Sequence, residues 1–183
     1  IFSLTQGQYL DLANESIERI SIADYLTMVA GKTGALFSAC FEIAARLAGN
    51  TPEEPQNYAE LGLLLGRVFQ VQDDYLGIWG NDLLTGKSSD SDISSRKKTF
   101  PILYALENLP EFQDRWFTSK QFSPYDVADL KRLLDQNDIH KVTKTETNKL
   151  YHEFMRNFEA IFTNTEKGLI LQLILQDLLG RET

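Results

Sequence analysis

Two adjacent acidic residues near the middle of the chain, Asp73 and Asp74, are the side chains best suited to chemistry. They lie in a proline-free, largely apolar stretch, residues 58–79, whose pattern is typical of one long helix. Gln70 lies one turn before the pair and Gly77 one turn after, so these positions share one helical face. Two negative charges held together repel each other, and a hard cation removes that repulsion. The pair therefore predicts a magnesium site; the alternative is a solvated helix end.

A polar, basic segment follows the acidic pair. Thr85-Gly86-Lys87 lies near its start and Arg96-Lys97-Lys98 at its end, with almost no apolar residue between them. A carboxylate pair beside a mobile cationic loop is suited to a metal-bridged diphosphate. The acids hold the metal, lysines contact the remaining phosphate oxygens, and the loop closes over both.

The order of these residues resembles the second aspartate-rich region of the polyprenyl diphosphate synthases, the trans-isoprenyl diphosphate synthases that include the farnesyl and geranylgeranyl enzymes. The matching residues are Phe69-Gln70, Asp73-Asp74, Gly80, Thr85-Gly86-Lys87, Ser91-Asp92-Ile93, Lys97-Lys98-Thr99 and Pro101. Two positions depart from the family pattern. Gly77 stands where many members carry a third aspartate, and Asn81 stands where an aspartate usually follows the glycine. With one carboxylate fewer, we expect two side chains and water to complete the metal shell.

A second candidate element lies upstream, in the helical pattern of residues 22–48. The run Gly31-Lys32-Thr33-Gly34 predicts a kink or break, because glycines destabilise a helix interior. Gly-Lys-Thr also occurs in phosphate-binding loops, but Leu26 stands where such a loop needs its first glycine, and the approach is helical. The run instead resembles the Lys-Thr helix of the same family, whose lysine contacts the allylic diphosphate and whose carbonyls face the developing carbocation. A surface lysine at a kink is the alternative.

The resemblance implies a set of site residues. The implied catalytic residues are Lys32, Thr33, Gln70, Asp73 and Asp74. The implied substrate-binding residues are Lys32, Thr33, Phe69, Gln70, Lys87 and Lys97. Asp73 and Asp74 are the implied ligands of Mg²⁺. Phe69 and Tyr25 are candidates for the apolar wall of the chain pocket, or else ordinary core residues. Gly7-Gln8 and Asp11 resemble a Gly-Gln-x-x-Asp segment of the family.

Composition limits the class of protein. The chain has 183 residues, and its 43% hydrophobic content is enough for a sizeable core. Its formal net charge of −8 argues against nucleic-acid binding. Its single cysteine, Cys40, excludes an internal disulfide, and we expect it to pack in the core. No apolar run reaches about 18 residues, so we expect no membrane-spanning segment and a cytoplasmic protein.

No stretch alternates at period two, so we expect an all-α fold. The resemblance implies a helical bundle of the isoprenoid synthase type around a central cavity, with residues 1–183 forming one domain. The expected helices cover residues 7–19, 22–48, 58–79, 101–108, 123–136, 143–162 and 165–179, and residues 50–56 are expected to form a loop.

The family uses two aspartate-rich motifs that face each other, whereas Asp73-Asp74 is the one adjacent aspartate pair of this chain. The resemblance therefore covers the C-terminal portion of a synthase, without the first motif, and leaves open whether these residues are active alone. The implied reaction is magnesium-assisted ionisation of an allylic diphosphate and its condensation with isopentenyl diphosphate, by a homodimer. The alternatives are a terpene cyclase, a head-to-head prenyl transferase, or a non-catalytic partner subunit of a heteromeric synthase. A plain helical interaction module leaves the order of the motifs unexplained.

Overall fold

The computed structural model describes residues 1–49, 54–81, 90–162 and 165–179, and these residues contain helices and no strand. The expected all-α fold is confirmed. The helices are α1 (Phe2–Ser16), α2 (Ile22–Val29), α3 (Ala35–Leu47), α4 (Glu54–Trp79), α5 (Ser91–Ser94), α6 (Phe100–Asn108), α7 (Pro110–Thr118), α8 (Pro124–Gln136), α9 (Ile139–Phe162) and α10 (Glu166–Leu179).

A short π-helical segment, Ala30–Gly34, joins α2 to α3 without a loop. We call it the π segment. It lies where the glycines predicted an interruption, and its form is a widened turn in which the backbone hydrogen bonds skip one residue more than in an α-helix. α2 begins at a capping box, since Ser21 accepts a hydrogen bond from the Asp24 backbone while the Asp24 side chain accepts one from the Ser21 backbone.

The long helix α4 is the element against which the others pack, mainly α3 and α9. It begins four residues earlier than the sequence predicted, and the first turn holds Pro55, a position where proline is tolerated because the missing N–H has no partner there. The predicted loop over residues 50–56 is thus wrong for its last three residues. Residues 50–53 lie outside the described part of the chain.

Two hydrophobic clusters hold the described helices together. The larger joins α2, α4, α6, α9 and α10, and its fully buried members include Val29, Leu65 and Phe154. The second surrounds the C-terminal end of α4 and includes Ile78 and Trp116. Because α4 contributes to both clusters, its polar side chains can be buried between elements that are far apart in sequence.

Cys40 is exposed, so the prediction that it packs in the core is wrong. It lies on α3 beside three apolar residues that are also exposed, Leu36 at 57%, Ile43 at 55% and Leu47 at 84%. The sequence of α3 is apolar on nearly all sides, so periodicity alone could not tell which face is buried.

The continuous helical stretch Ile22–Leu47 is long and apolar enough to span a membrane, with a mean hydropathy of 1.2 over its best window. The sequence predicts no membrane-spanning segment, and by length and composition alone this stretch is an exception to that prediction. Core helices of soluble proteins pass the same test, and this stretch also contains Lys32.

Candidate active site

Asp73 and Asp74 point in different directions. Asp73 is exposed, whereas the Asp74 side chain is buried, with 3% of its surface accessible. The sequence pattern predicts both on one face, but successive residues of an α-helix are about 100° apart. That rotation is enough to turn one carboxylate outward and the other into the core.

Three hydrogen bonds hold the buried Asp74 carboxylate. Its Oδ2 accepts one from the Tyr25 hydroxyl at 2.5 Å and one from the Phe100 backbone N–H at 2.9 Å. Its Oδ1 accepts one from Gln70 Nε2 at 3.0 Å. Tyr25 comes from α2 and Phe100 is the first residue of α6, so Asp74 connects three helices. It also satisfies an N-terminal donor of α6, where Thr99 is the capping residue but makes no side-chain capping bond.

Gln70 extends this network to the π segment. Thr33 Oγ1 donates to Gln70 Oε1 at 2.8 Å. The two elements lie close together here because both have a glycine at the contact: a Cβ added at Gly66 would lie 2.5 Å from Gly34 Cα. The structure therefore brings together four of the predicted or candidate residues, and we call Tyr25, Thr33, Gln70 and Asp74 the Asp74 network.

Burial shifts the pKa values of Asp74 and Tyr25, the two titratable groups of this network. It raises the pKa of the Asp74 carboxyl to about 7, although the hydrogen bonds from Tyr25, Phe100 and Gln70 act in the opposite direction. Burial, with the negative charge of Asp74, also raises the pKa of Tyr25 well above its ordinary value. The Tyr25 hydroxyl therefore keeps its proton and acts as the donor.

Lys97 pairs with Asp92, with 3.0 Å between Nζ and Oδ1. Burial lowers the pKa of Lys97, but the hydrogen bond and charge of Asp92, with the charges of Asp73 and Asp74, outweigh it and raise the pKa overall. Asp92 is buried and lies against Gly77: a Cβ added at Gly77 would be 2.2 Å from Asp92 Oδ2. A carboxylate from the following segment thus lies where the side chain of a residue larger than glycine would be.

Lys32 pairs with Asp11 of α1, with 2.6 Å between Nζ and Oδ2. α1 approaches the π segment closely, since a Cβ added at Gly7 would lie 2.0 Å from Lys32 N. The Gly-Gln-x-x-Asp segment therefore has a physical role in this chain. Its glycine allows the contact, and its aspartate, one turn later, binds the lysine.

The remaining basic residues have different positions. Arg96 packs over the rings of Trp116 and Phe122, with its guanidinium carbon 4.9 and 4.4 Å from the two centroids. Lys98 donates to the backbone oxygen of Asn14 at the end of α1, 2.7 Å away. Lys87 lies outside the described residues, so the structure says nothing of its predicted contact.

The two aromatic candidates for an apolar wall differ. Phe69 is partly buried and packs against Phe37, with 5.7 Å between the ring centroids. Tyr25 is fully buried in the larger hydrophobic cluster and uses its hydroxyl in the Asp74 network. Tyr25 is therefore a core residue with a polar function, which its aromatic character did not predict.

The side chains near Asp73 suit a metal ion that takes most of its ligands from water and substrate. Among the described residues, no group of three or more acidic, histidine or cysteine side chains is arranged to hold a metal ion. Magnesium commonly uses one or two protein carboxylates and completes its shell with water and substrate phosphates. The exposed Asp73 carboxylate fits that requirement, whereas the oxygens of Asp74 already accept three hydrogen bonds.

Sequence reasoning missed the roles of three residues, Asp11, Asp92 and the Tyr25 hydroxyl. Asp11 and Asp92 belong to segments that were noted for their resemblance, but only the fold shows which lysine each one binds. Tyr25 precedes Lys32 by seven residues, which is two helical turns, and this spacing was the available signal.

The geometry defines an all-helical protein whose acidic helix is bonded to a π-helical Lys-Thr turn. The model of the polyprenyl synthetase family matches residues 1–136. Over 103 residues the chain is 41% identical to a (2E,6E)-farnesyl diphosphate synthase of Mycobacterium tuberculosis. The matched residues make up 56% of this chain and 29% of that protein. The chain belongs to the polyprenyl synthetase family, and the resemblance seen in its motifs is confirmed.

Solved structures agree with this assignment. The chain superposes on a crystal structure of a geranylgeranyl pyrophosphate synthase with a TM-score of 0.87 and 25% identity, over 100% of this chain and 58% of the other. A polyprenyl synthase from Caulobacter crescentus, complexed with calcium and isoprenyl diphosphate, has the same fold, with a TM-score of 0.86, 24% identity and coverage of 99% and 56%. The chain thus spans little more than half of the structures it matches.

Proposed function

We propose that this chain belongs to a prenyl transferase that condenses an allylic diphosphate with isopentenyl diphosphate in isoprenoid biosynthesis. The observation that carries the proposal is the hydrogen bond from Thr33 to Gln70, which joins the Lys-Thr turn to the acidic helix. It brings together, in one network, two motifs that are 37 residues apart in sequence. Family membership and the name of the farnesyl relative support the same reaction.

The proposed reaction breaks the bond between C1 of the allylic substrate and the diphosphate oxygen. The bonding electrons leave with the diphosphate, and the double bond of isopentenyl diphosphate attacks the allylic carbon. Loss of a proton from the adjacent carbon to the released diphosphate, which acts as the base, forms the new double bond. Bound Mg²⁺ supplies positive charge that stabilises the leaving diphosphate. A site that excludes water protects the cationic intermediate from hydrolysis.

We assign the protein groups as follows. Asp73 holds the metal, and the lysines contact the phosphate oxygens, with Lys32 released from Asp11 and Lys97 from Asp92 as the anion binds. Lys87 is assigned the same role from the sequence alone. Gln70 and Thr33 face the substrate beside them, and Phe69 contributes to the wall of the chain pocket. The resemblance also implies Asp74 as a metal ligand, and its carboxylate already accepts three hydrogen bonds from the protein.

We further infer that residues 1–183 form one domain, that magnesium is the resident metal, and that the protein acts as a cytoplasmic homodimer. The Caulobacter crescentus structure, which holds calcium and isoprenyl diphosphate on the same fold, supports a divalent cation and a diphosphate as ligands. The exposed apolar residues of α3 are compatible with assembly.

The test is magnesium-dependent binding of inorganic pyrophosphate, measured by isothermal titration calorimetry. We expect binding with Mg²⁺ present, none with EDTA, and a loss of at least about 30-fold in Asp73→Ala, because a charged ligand is removed. Asp114→Ala is the matched control, since Asp114 is an exposed acid on α7. A non-catalytic partner subunit predicts no binding with or without magnesium, and equal affinities for Asp73→Ala and Asp114→Ala would contradict the assignment.

A second assay separates the transferase from a cyclase or a head-to-head enzyme. The full-length protein is incubated with allylic diphosphates of several chain lengths, with and without isopentenyl diphosphate. The transferase consumes the allylic substrate into a longer diphosphate only when isopentenyl diphosphate is present. Hydrocarbon or cyclopropyl products formed without it would identify one of the alternatives.

A further inference from the structure

The Asp74 carboxylate already accepts three hydrogen bonds from protein donors. Its Oδ2 accepts from Tyr25 Oη and from the Phe100 N–H, and its Oδ1 accepts from Gln70 Nε2. A carboxylate has about four acceptor positions, so one is left, on a group that is only 3% exposed. A metal ion bound directly to Asp74 would have to reach that one buried position, or displace one of these donors and leave it unpaired in the core. Asp73 has no such constraint, since it is exposed.

The donors to Asp74 come from different elements. Tyr25 lies on α2, Phe100 begins α6, and Gln70 lies on α4 itself. Through Gln70 the network continues to Thr33 in the π segment. One buried side chain therefore fixes the relative positions of α2, α4, α6 and, through Gln70, the π segment, and the close contact of Gly34 with Gly66 supports the arrangement from the backbone.

The network also determines the direction of its hydrogen bonds. The Gln70 amide turns its Nε2 toward Asp74 and donates to Oδ1. Its Oε1 then faces Thr33, which must donate its single hydroxyl hydrogen to Gln70. The Thr33 oxygen consequently presents lone pairs, and no hydrogen, to whatever lies on its other side. Reversing the Gln70 amide would reverse this polarity.

We propose that Asp74 and Tyr25 are a positioning pair, which fixes the orientation of Gln70 and Thr33. This inference rests on the proposed function of the site. Tyr25 acts by holding the Asp74 carboxylate in place, and neither residue touches the substrate. The adjacent acids Asp73 and Asp74 then have separate roles, which follow from the 100° rotation between neighbours on a helix.

The test compares Asp73→Asn, Asp74→Asn, Tyr25→Phe and the double variant of Asp74 and Tyr25, with Tyr104→Phe as the control. Tyr104 lies on α6 beside Phe100, outside the Asp74 network, at a centroid distance of 6.3 Å. The first measurement is magnesium-dependent pyrophosphate binding. We expect Asp73→Asn to weaken it by at least about 30-fold and Asp74→Asn and Tyr25→Phe by no more than about threefold.

The second measurement reports position rather than binding. We expect the side-chain amide resonances of Gln70, observed by ¹⁵N NMR, to shift in Asp74→Asn and in Tyr25→Phe but not in Tyr104→Phe. In the full-length enzyme, Asp74→Asn and Tyr25→Phe should each lower kcat for prenyl transfer about 10-fold or more with little change in KM. The reason is that these variants lose the orientation of the site and not uniform binding of the substrate. The double variant should be no slower than the slower single variant, since the two residues act as one unit.

Three outcomes would overturn the inference. Asp74→Asn could abolish magnesium-dependent binding as fully as Asp73→Asn, which would make Asp74 a ligand. Tyr25→Phe could leave kcat and the Gln70 resonances unchanged, or the two substitutions could add independently. Tyr25→Phe removes a single hydroxyl, so it provides a readout even if Asp74→Asn does not fold. Absence of pyrophosphate binding in the unsubstituted protein would instead refute the proposed function, and the Gln70 resonances would still test the pair.

Discussion

Gly77 and Asp92 show how the meaning of one residue depends on another that is fifteen positions away. The sequence presents Gly77 as a missing carboxylate, because family members often have aspartate there. In the fold, the Asp92 carboxylate lies against the Gly77 backbone and pairs with Lys97. The site therefore has an acid close to this position, although it comes from α5 and not from α4.

Substitution at this contact should be costly. Gly77→Ala places a methyl group 2.2 Å from Asp92 Oδ2, so the carboxylate must move and its pair with Lys97 is disturbed. Although alanine is about 1 kcal/mol better than glycine in a helix, we expect the free energy of unfolding to fall by about 1–3 kcal/mol. Urea denaturation followed by circular dichroism measures it.

The control for that prediction is the same substitution in an Asp92→Ala background. Removing the carboxylate removes the clash, so Gly77→Ala should there be neutral or stabilising. An equal loss of stability in both backgrounds would show that the contact with Asp92 is not the cause.

At the scale of single residues, the sequence identified the types of side chain in the site but not their partners. Lys32, Thr33, Gln70 and Asp74 were all chosen from motif order, and the fold brings three of them into one network. The exposure of Asp73 and the burial of Asp74 could not be predicted, because both positions lie near the boundary between the polar and apolar sides of α4. The pairs Lys32 with Asp11 and Lys97 with Asp92 required the tertiary structure.

Among the elements, the contact between α4 and the π segment depends on glycine. A Cβ at Gly66 would meet the backbone of Gly34, which cannot move aside as a flexible side chain can. We expect Gly66→Ala to lower the free energy of unfolding by about 2 kcal/mol or more. Thermal denaturation measures the change. Glu60→Ala, at an exposed position of the same helix, should stay within about 0.5 kcal/mol of the parent, and a similar small effect at Gly66 would refute the tight contact.

Arg96 anchors the segment that leads from α5 to α6. It donates to the backbone oxygens of Ser119 and Trp116, at 2.6 and 2.8 Å, while stacking on two aromatic rings. Lysine has neither the planar fork nor the stacking surface, so Arg96→Lys should lower the free energy of unfolding by about 1–3 kcal/mol. Urea denaturation measures this effect.

Arg132→Lys provides the comparison, because Arg132 is half exposed and pairs with Asp129 three residues earlier in α8. Pairs of that kind contribute about 0.3–0.5 kcal/mol. If the two substitutions had equal effects, Arg96 would be an ordinary surface residue and not an anchor.

The helices themselves were largely predictable from the sequence. The Ser123-Pro124 start of α8 is confirmed by its capping box, and the interruption at the Gly31 to Gly34 run is present as the π segment. The start of α4 was placed too late, because Pro55 and its neighbours read as a loop although proline suits a first helical turn. Thr99 holds the capping position of α6 but makes no side-chain capping bond, and the first backbone N–H of the helix, that of Phe100, is bonded to Asp74.

On the scale of the whole molecule, several large apolar residues are exposed on α1, α3 and α10. Examples are Tyr9, Leu47 and Leu173. Exposed apolar side chains of this size favour association in water. We therefore expect the 183-residue polypeptide to self-associate in a concentration-dependent way, as measured by sedimentation velocity.

Substitutions on α3 test the source of that association. Ile43→Gln combined with Leu47→Gln should shift the distribution toward the monomer, because it removes apolar surface without touching the core. Tyr125→Gln on α8, which is 77% exposed, should change the distribution little. An unchanged distribution in the α3 variant would place the association on another surface.

The π segment has a consequence for the register of the chain. A π turn contains one residue more than the α turn it replaces, so α2 and α3 keep their relative phase only because the extra residue is absorbed locally. Deleting one residue, such as Ala30, should therefore leave a continuous α-helix. Its two halves should pack against α4 with the same faces as before. Such a variant would isolate the contribution of the widened turn from that of the surrounding bundle.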